Sequence, residues 1–209
     1  MNKQATYPDT IWGVREITGT SEELLSRLEK KELYFPVIEQ IKLEKRKKEW
    51  LTVRLLLKDL LGEEKEVGYD ASGKPFLKDD SFHISISHTS GYVAVILNPT
   101  HPVGIDIEQI TSQVMRIRNR FLSKSENDYI SEKEELIHLL LHWSAKETMF
   151  KALGEENVIF NEQLHICPFE PETRVLSTFS SFESRTCRKT EFLIHYVVNS
   201  EYVLTFTEL

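Results

Sequence analysis

A chain of 209 residues can form one domain or two of about 100 residues each, and 40% hydrophobic with 28% charged residues is the balance of an ordinary globular protein. A net charge of −7 argues against wholesale binding to nucleic acid or to an anionic membrane. Residues 1–20 are polar, no run is long enough to span a bilayer, and Cys167 and Cys187 without an export signal read as reduced thiols, so a cytoplasmic chain is expected.

In chain order, the first strong pattern is a helix predicted over 39–61, ending at Gly62, with Trp50, Val53, Leu57 and Leu60 at helical spacing. Its start carries the basic run Lys45-Arg46-Lys47-Lys48, which as a rule is a solvated face but offers cations for a phosphate. Strands are predicted over 82–88 and 92–97 around a Thr89-Ser90-Gly91 turn, and a third over 103–108. A second helix is predicted over 132–153, ending at Gly154, followed by a hairpin of 191–198 and 202–207. A long helix followed by short strands thus occurs twice. That echo predicts an α+β fold, a pseudo-dimer of two similar halves (1–103 and 104–209), each a small mainly antiparallel sheet packed against a long helix, with the active site between the halves.

The chemistry-bearing residues fall in four short segments. In Val103-Gly104-Ile105-Asp106-Ile107-Glu108, alternation along a strand sets the valine and isoleucines on one face and Asp106 and Glu108 together on the other. Two carboxylates on one face repel unless a cation lies between them, and hard oxygen donors suit Mg²⁺; a solvated acidic edge strand would also produce this segment. On the second helix, Glu147 continues the stripe through Leu136, Leu140 and Trp143, so it is expected to face inward, where an unpaired carboxylate is costly. Lys151 follows four residues later in the favourable order, as in any helical ion pair. Gly73-Lys74-Pro75 presents a lysine from a turn, and Ser85-Ile86-Ser87-His88 ends a strand with hydroxyl and imidazole donors suited to a phosphate. Each of these also reads alone as ordinary surface.

Taken in order, Gly-Lys-Pro, Ser-His, Gly-Ile-Asp-Ile-Glu and Trp-Ser-x-Lys-Glu-x-x-x-Lys-Ala resemble the 4′-phosphopantetheinyl transferases, specifically the long surfactin-synthetase-activating (Sfp) type. The resemblance runs from about Arg46 to Gly154 and is most specific in its last two motifs. It implies that Asp106, Glu108 and Glu147 are Mg²⁺ ligands and that Lys151 stands near the pyrophosphate. It further implies that Lys74, Ser87 and His88, with Arg46 as a looser match, contact coenzyme A, and that Asp106 and Lys151 border it too. Ser85 departs from the asparagine of many relatives, and Glu155-Glu156 follows Gly154 where a second glycine is usual. The implied reaction is attack by a carrier-protein serine on the β-phosphate of coenzyme A, releasing 3′,5′-ADP, with Mg²⁺ neutralising phosphate oxygens. Glu147 or a metal-held water takes the serine proton, and Lys151 stabilises developing charge. The implied partners are coenzyme A and an apo acyl or peptidyl carrier protein, with no nucleic acid and no membrane, for a monomer built as a pseudo-dimer.

Two other readings compete. A non-catalytic coenzyme A or carrier-binding module would keep Lys74 and His88 and could dispense with the acidic triad. A Mg²⁺-dependent nucleotide hydrolase would normally bring a phosphate-cradling glycine loop, and the pattern G-x-x-x-x-G-K-[ST] is missing from the sequence. One further segment invites a partner. Met115, Ile117 and Phe121 alternate with Arg116, Arg118 and Arg120, which would suit a small acidic carrier unless the apolar members are simply core.

Overall fold

The structure is a computed structural model describing residues 4–5, 9–155, 157–173, 176–187 and 189–209; Glu156, of the pair after Gly154, lies outside the described residues. The chain divides into two compact units, Met1–Thr100 and His101–Leu209.

The first unit contains β1 (Gln4–Ala5), β2 (Ile11–Glu16), α1 (Ser21–Ser26), α2 (Lys31–Gln40), α3 (Glu44–Leu61), β3 (Val67–Tyr69), β4 (Pro75–Leu77), β5 (His83–Thr89) and β6 (Tyr92–Asn98). Its main sheet is antiparallel in the order β1-β2-β6-β5, and β3 and β4 form a separate hairpin. Val53, Leu56, Leu57 and Leu60 bury one face of α3 against Ile84, Val93, Val95 and Leu97 of that sheet. Leu51 and Leu55 bury another face against Leu24, Leu28, Tyr34 and Ile38 of the α1–α2 segment, with Trp50 half-buried beside them. The helix expected over 39–61 therefore starts five residues later. Residues 39 and 40 finish α2, which carries Pro36 in its interior, a residue that removes a helical N–H and discourages a helical reading. Gly62 ends α3 at φ +78°, left-handed backbone that favours glycine.

The second unit contains β7 (Val103–Gln109), α4 (Gln113–Phe121), α5 (Lys124–Asn127), α6 (Glu135–Leu153), α7 (Phe160–Gln163), β8 (Leu164–Ile166), β9 (Ser177–Glu183), β10 (Glu191–Val198) and β11 (Tyr202–Glu208). The sheet is antiparallel in the order β7-β11-β10-β9-β8. In both units the strand before the long helix pairs with the last strand (β2 with β6, β7 with β11), and that last strand pairs with the one before it. One connection order thus occurs twice, on sheets of four and five strands.

Helix α6 is packed on nearly every side: Leu139, Leu141, His142, Ser144, Ala145, Lys146, Thr148 and Met149 are all fully buried. Of the expected inward stripe, Leu140 is buried in the core, while Leu136, Trp143 and Glu147 are half-buried. A helix enclosed nearly all round has no single apolar face, so spacing alone does not mark one inner side. Gly104 lets the helix lie directly on β7, since a Cβ there would stand 2.1 Å from the carbonyl oxygen of Thr148. Above that contact the Thr205 hydroxyl of β11 meets Ser144 at 2.8 Å and Thr148 at 2.7 Å. These contacts fix which turns of α6 face Asp106.

Candidate active site

Asp106 and Glu108 come from β7, Glu147 and Lys151 from the middle and end of α6. Their separation in the chain is bridged by the close seating of that helix. Lys151 Nζ donates to Asp106 Oδ1 at 2.7 Å and to the Ile105 carbonyl at 3.1 Å. Asp106 is buried, and Trp143 Nε1 donates to Glu108 Oε1 at 2.7 Å.

The carboxylates feel one another. Burial first, and then the Asp106 charge, pushes Glu108 up to about 7, with Glu147 adding in the same direction and the Trp143 hydrogen bond opposing. Burial and then Asp106 also push Glu147 up, against the lowering pull of Lys151. Three carboxyl groups and one lysine on two adjacent elements form a cluster short of positive charge, and it would be relieved by a hard cation. The donor set fits Mg²⁺ chemically. As placed, however, no three His, Cys, Asp or Glu side chains among the described residues stand close enough together to hold a metal ion.

In the first unit, Arg46, Trp50, Arg54, Tyr69, Ile86 and His88, with Glu49 and Val53, line a pocket of about 180 Å³. Arg46 Nη1 lies 3.0 Å from His88 Nε2 and 2.7 Å from Glu49 Oε2, so the one carboxylate in the wall is already paired. The buried Arg54 guanidinium stacks 3.5 Å over the Trp50 ring and donates to Tyr69 Oη at 3.4 Å. In the sequence an arginine inside Leu51–Leu57 looks like a solvated residue; the signal for Arg54 is its place as the one charged residue of that run. Lys74 follows Gly73, whose φ is +85°, in a turn held by Asp70 Oδ1, which accepts from the Ser72 and Lys74 N–H groups. The next residue, Pro75, pairs in register with Tyr69 of the pocket wall. Ser87 is placed differently from His88. It is buried on the opposite face of β5, in register with Ala94.

The second unit of this α+β protein thus gathers three carboxylates and a lysine, and the first carries cations around an aromatic pocket. The model of the 4′-phosphopantetheinyl transferase superfamily matches residues 102–207, half of the chain, and the chain belongs to that superfamily. The chain is similar to the 4′-phosphopantetheinyl transferase gsp of Aneurinibacillus migulanus, 35% identical over 88 residues that make up 40% of this chain and 35% of the relative. It is likewise similar to psf-1 of Bacillus pumilus, 36% identical over 93 residues (41% and 38%), and to Sfp of Bacillus subtilis (strain 168), 36% identical over 87 residues (40% and 38%). The matched part thus spans little more than a third of these relatives' length.

Proposed function

We propose that this chain transfers the 4′-phosphopantetheine arm of coenzyme A to a serine of an apo acyl or peptidyl carrier protein. The observation carrying this reading is the seating of Glu147 and Lys151 of α6 against Asp106 and Glu108 of β7 inside the family-matched span. Asp106, Glu108 and Glu147 would hold Mg²⁺, which supplies charge neutralisation for the diphosphate. Glu147, or a water that the site would hold, takes the proton from the attacking serine oxygen as that oxygen bonds to the β-phosphorus. The bond from that phosphorus to the bridging oxygen breaks, and 3′,5′-ADP leaves with Lys151 stabilising its new charge. The working unit in this reading is a monomer of two similar halves. Incubation with coenzyme A, Mg²⁺ and a panel of apo-carriers, read by intact mass, should show one phosphopantetheine gained. A chain that binds coenzyme A but modifies no carrier would be a binding module instead.

The pocket of the first unit supplies the phosphate-binding cations in this scheme. His88→Ala, Lys74→Ala and Arg54→Lys are each expected to weaken coenzyme A binding about tenfold, the loss of one charge-assisted contact or of a planar guanidinium stack. Calorimetry would measure it; three variants binding as tightly as the parent would remove this pocket from the scheme.

The arginine-rich segment divides. Phe121 and Val114 are core, whereas Met115, Arg116, Asn119 and Arg120 are exposed on one side of α4. Arg118 is engaged by Glu135 at 2.8 Å and Asn127 at 2.6 Å. Docking of an acidic carrier therefore falls to Met115, Arg116 and Arg120. Arg116→Glu with Arg120→Glu should raise the KM for carrier roughly tenfold at low salt and less at high salt, leaving coenzyme A affinity alone. Unchanged carrier kinetics in the folded double variant would move the docking surface elsewhere.

A further inference from the structure

Lys146, directly before Glu147, is completely buried, an unusual place for a lysine. All three of its ammonium protons are used. Nζ donates to Glu126 Oε2 at 2.7 Å, to the Phe121 carbonyl at 2.6 Å and to the Phe160 carbonyl at 3.1 Å. Glu126 is just as fully engaged, accepting from Ile166 N–H at 2.8 Å and Ser123 N–H at 2.7 Å. A fold needing only stability would do as well with apolar residues here, because desolvating two charges consumes most of what their attraction returns. The identity of the two carbonyls is more informative. Phe121 and Phe160 are the residues whose rings hold Trp143, with centroids 5.4 Å and 5.8 Å from its own. Trp143 in turn donates its indole N–H to Glu108.

We propose that Lys146 is a positioning residue of the active site, an ammonium that fixes the ends of α4 and α7 so that Phe121 and Phe160 hold Trp143 in hydrogen-bonding reach of Glu108. The argument concerns the chain's own contacts; only its consequence for turnover rests on the transferase reading. A carboxylate with one oxygen tied by an indole presents the other in a fixed direction, which is what a group that binds a cation or a phosphate-bearing substrate requires.

The test replaces both charges, Lys146→Met with Glu126→Gln, so that no unpaired ion is left buried. In protein labelled with ¹⁵N at its tryptophans, the Trp143 indole signal, assigned by its loss in Trp143→Phe, should shift. Its proton should also exchange with water at least about tenfold faster once the bond to Glu108 loosens, while the Trp12 and Trp50 signals stay in place. In the transfer assay kcat should fall by about 10- to 100-fold with the KM for carrier unchanged. Phe160→Leu, which keeps the ion pair and removes one ring, should move the same indole signal the same way, and it decides the matter if the double variant fails to fold. An unmoved Trp143 signal in a folded double variant, or in Phe160→Leu, overturns the proposal even where activity is lost. A moved signal in a chain that transfers nothing would sink the transferase reading and leave the positioning role standing.

Discussion

Gly104→Ala is expected to unseat α6 and to lower turnover by at least about 100-fold. The added methyl would stand 2.1 Å from the Thr148 carbonyl oxygen, 3.0 Å from its carbon and 3.1 Å from the Ala152 nitrogen. All three are helix backbone, which cannot rotate aside as a side chain can. Restoring ordinary contact needs a retreat of α6 by roughly 1 Å, and misplacing reacting groups by that much costs about 100-fold. The retreat also stretches the Ser144 and Thr148 hydrogen bonds to Thr205, at 2.8 and 2.7 Å, and draws Lys151 from Asp106. Overpacking of this severity should destabilise the second unit by about 3 kcal/mol. Thermal unfolding with and without the substitution measures the stability change, and steady-state transfer the other. A variant that melts with the parent and turns over normally would mean that α6 does not depend on close backbone contact with β7.

Strands with one polar partner per apolar residue were the readable part of this chain. The hairpin expected over 191–198 and 202–207 is β10 and β11, longer by one residue at its end, because alternation and the Asn199-Ser200-Glu201 turn are local signals. Gly62 and Gly154 marked both helix ends for the same reason. What stayed hidden depends on enclosure. Spacing marks Trp143 and Glu147 as the inward stripe only for a helix with one buried face, whereas here even Lys146 and His142 are enclosed. Arg54 and Lys146 give no local signal, because a basic residue is ordinarily solvated, and only a partner far along the chain, such as Tyr69 or Glu126, reveals otherwise. The acidic cluster was legible as residue types, since Asp106 and Glu108 alternate with isoleucines. That α6 lies close against β7 depends on Gly104, whose absent side chain no periodicity reports.

Glu147→Gln should abolish transfer while leaving the unliganded fold as stable as the parent or more so. Loss of the group that accepts the serine proton lowers kcat by about 10²- to 10⁴-fold. Stability moves the other way, because the carboxylate it removes is held in a cluster where ionisation is disfavoured. Glu147 is raised by burial and by Asp106, and Glu108 is pushed up to about 7 by burial, by Asp106 and by Glu147 itself. A carboxyl with a raised folded pKa holds its proton more tightly in the folded than in the unfolded chain. The contribution of each is therefore fully present below the ordinary value of 4.5 and is lost as pH rises, for Glu108 through about 7. Glutamine at position 147 cannot ionise, and it also relieves Glu108. The variant's advantage should be absent near pH 4 and develop as pH rises above the ordinary carboxylate range. Denaturant unfolding of both proteins across that range reads it directly. Mg²⁺ should stabilise the parent and narrow the gap, since a cation relieves the same repulsion. A Glu147→Gln protein that still transfers the arm would remove the proposed base, and one destabilised equally at every pH would show that Glu147 holds the fold through contacts other than its charge.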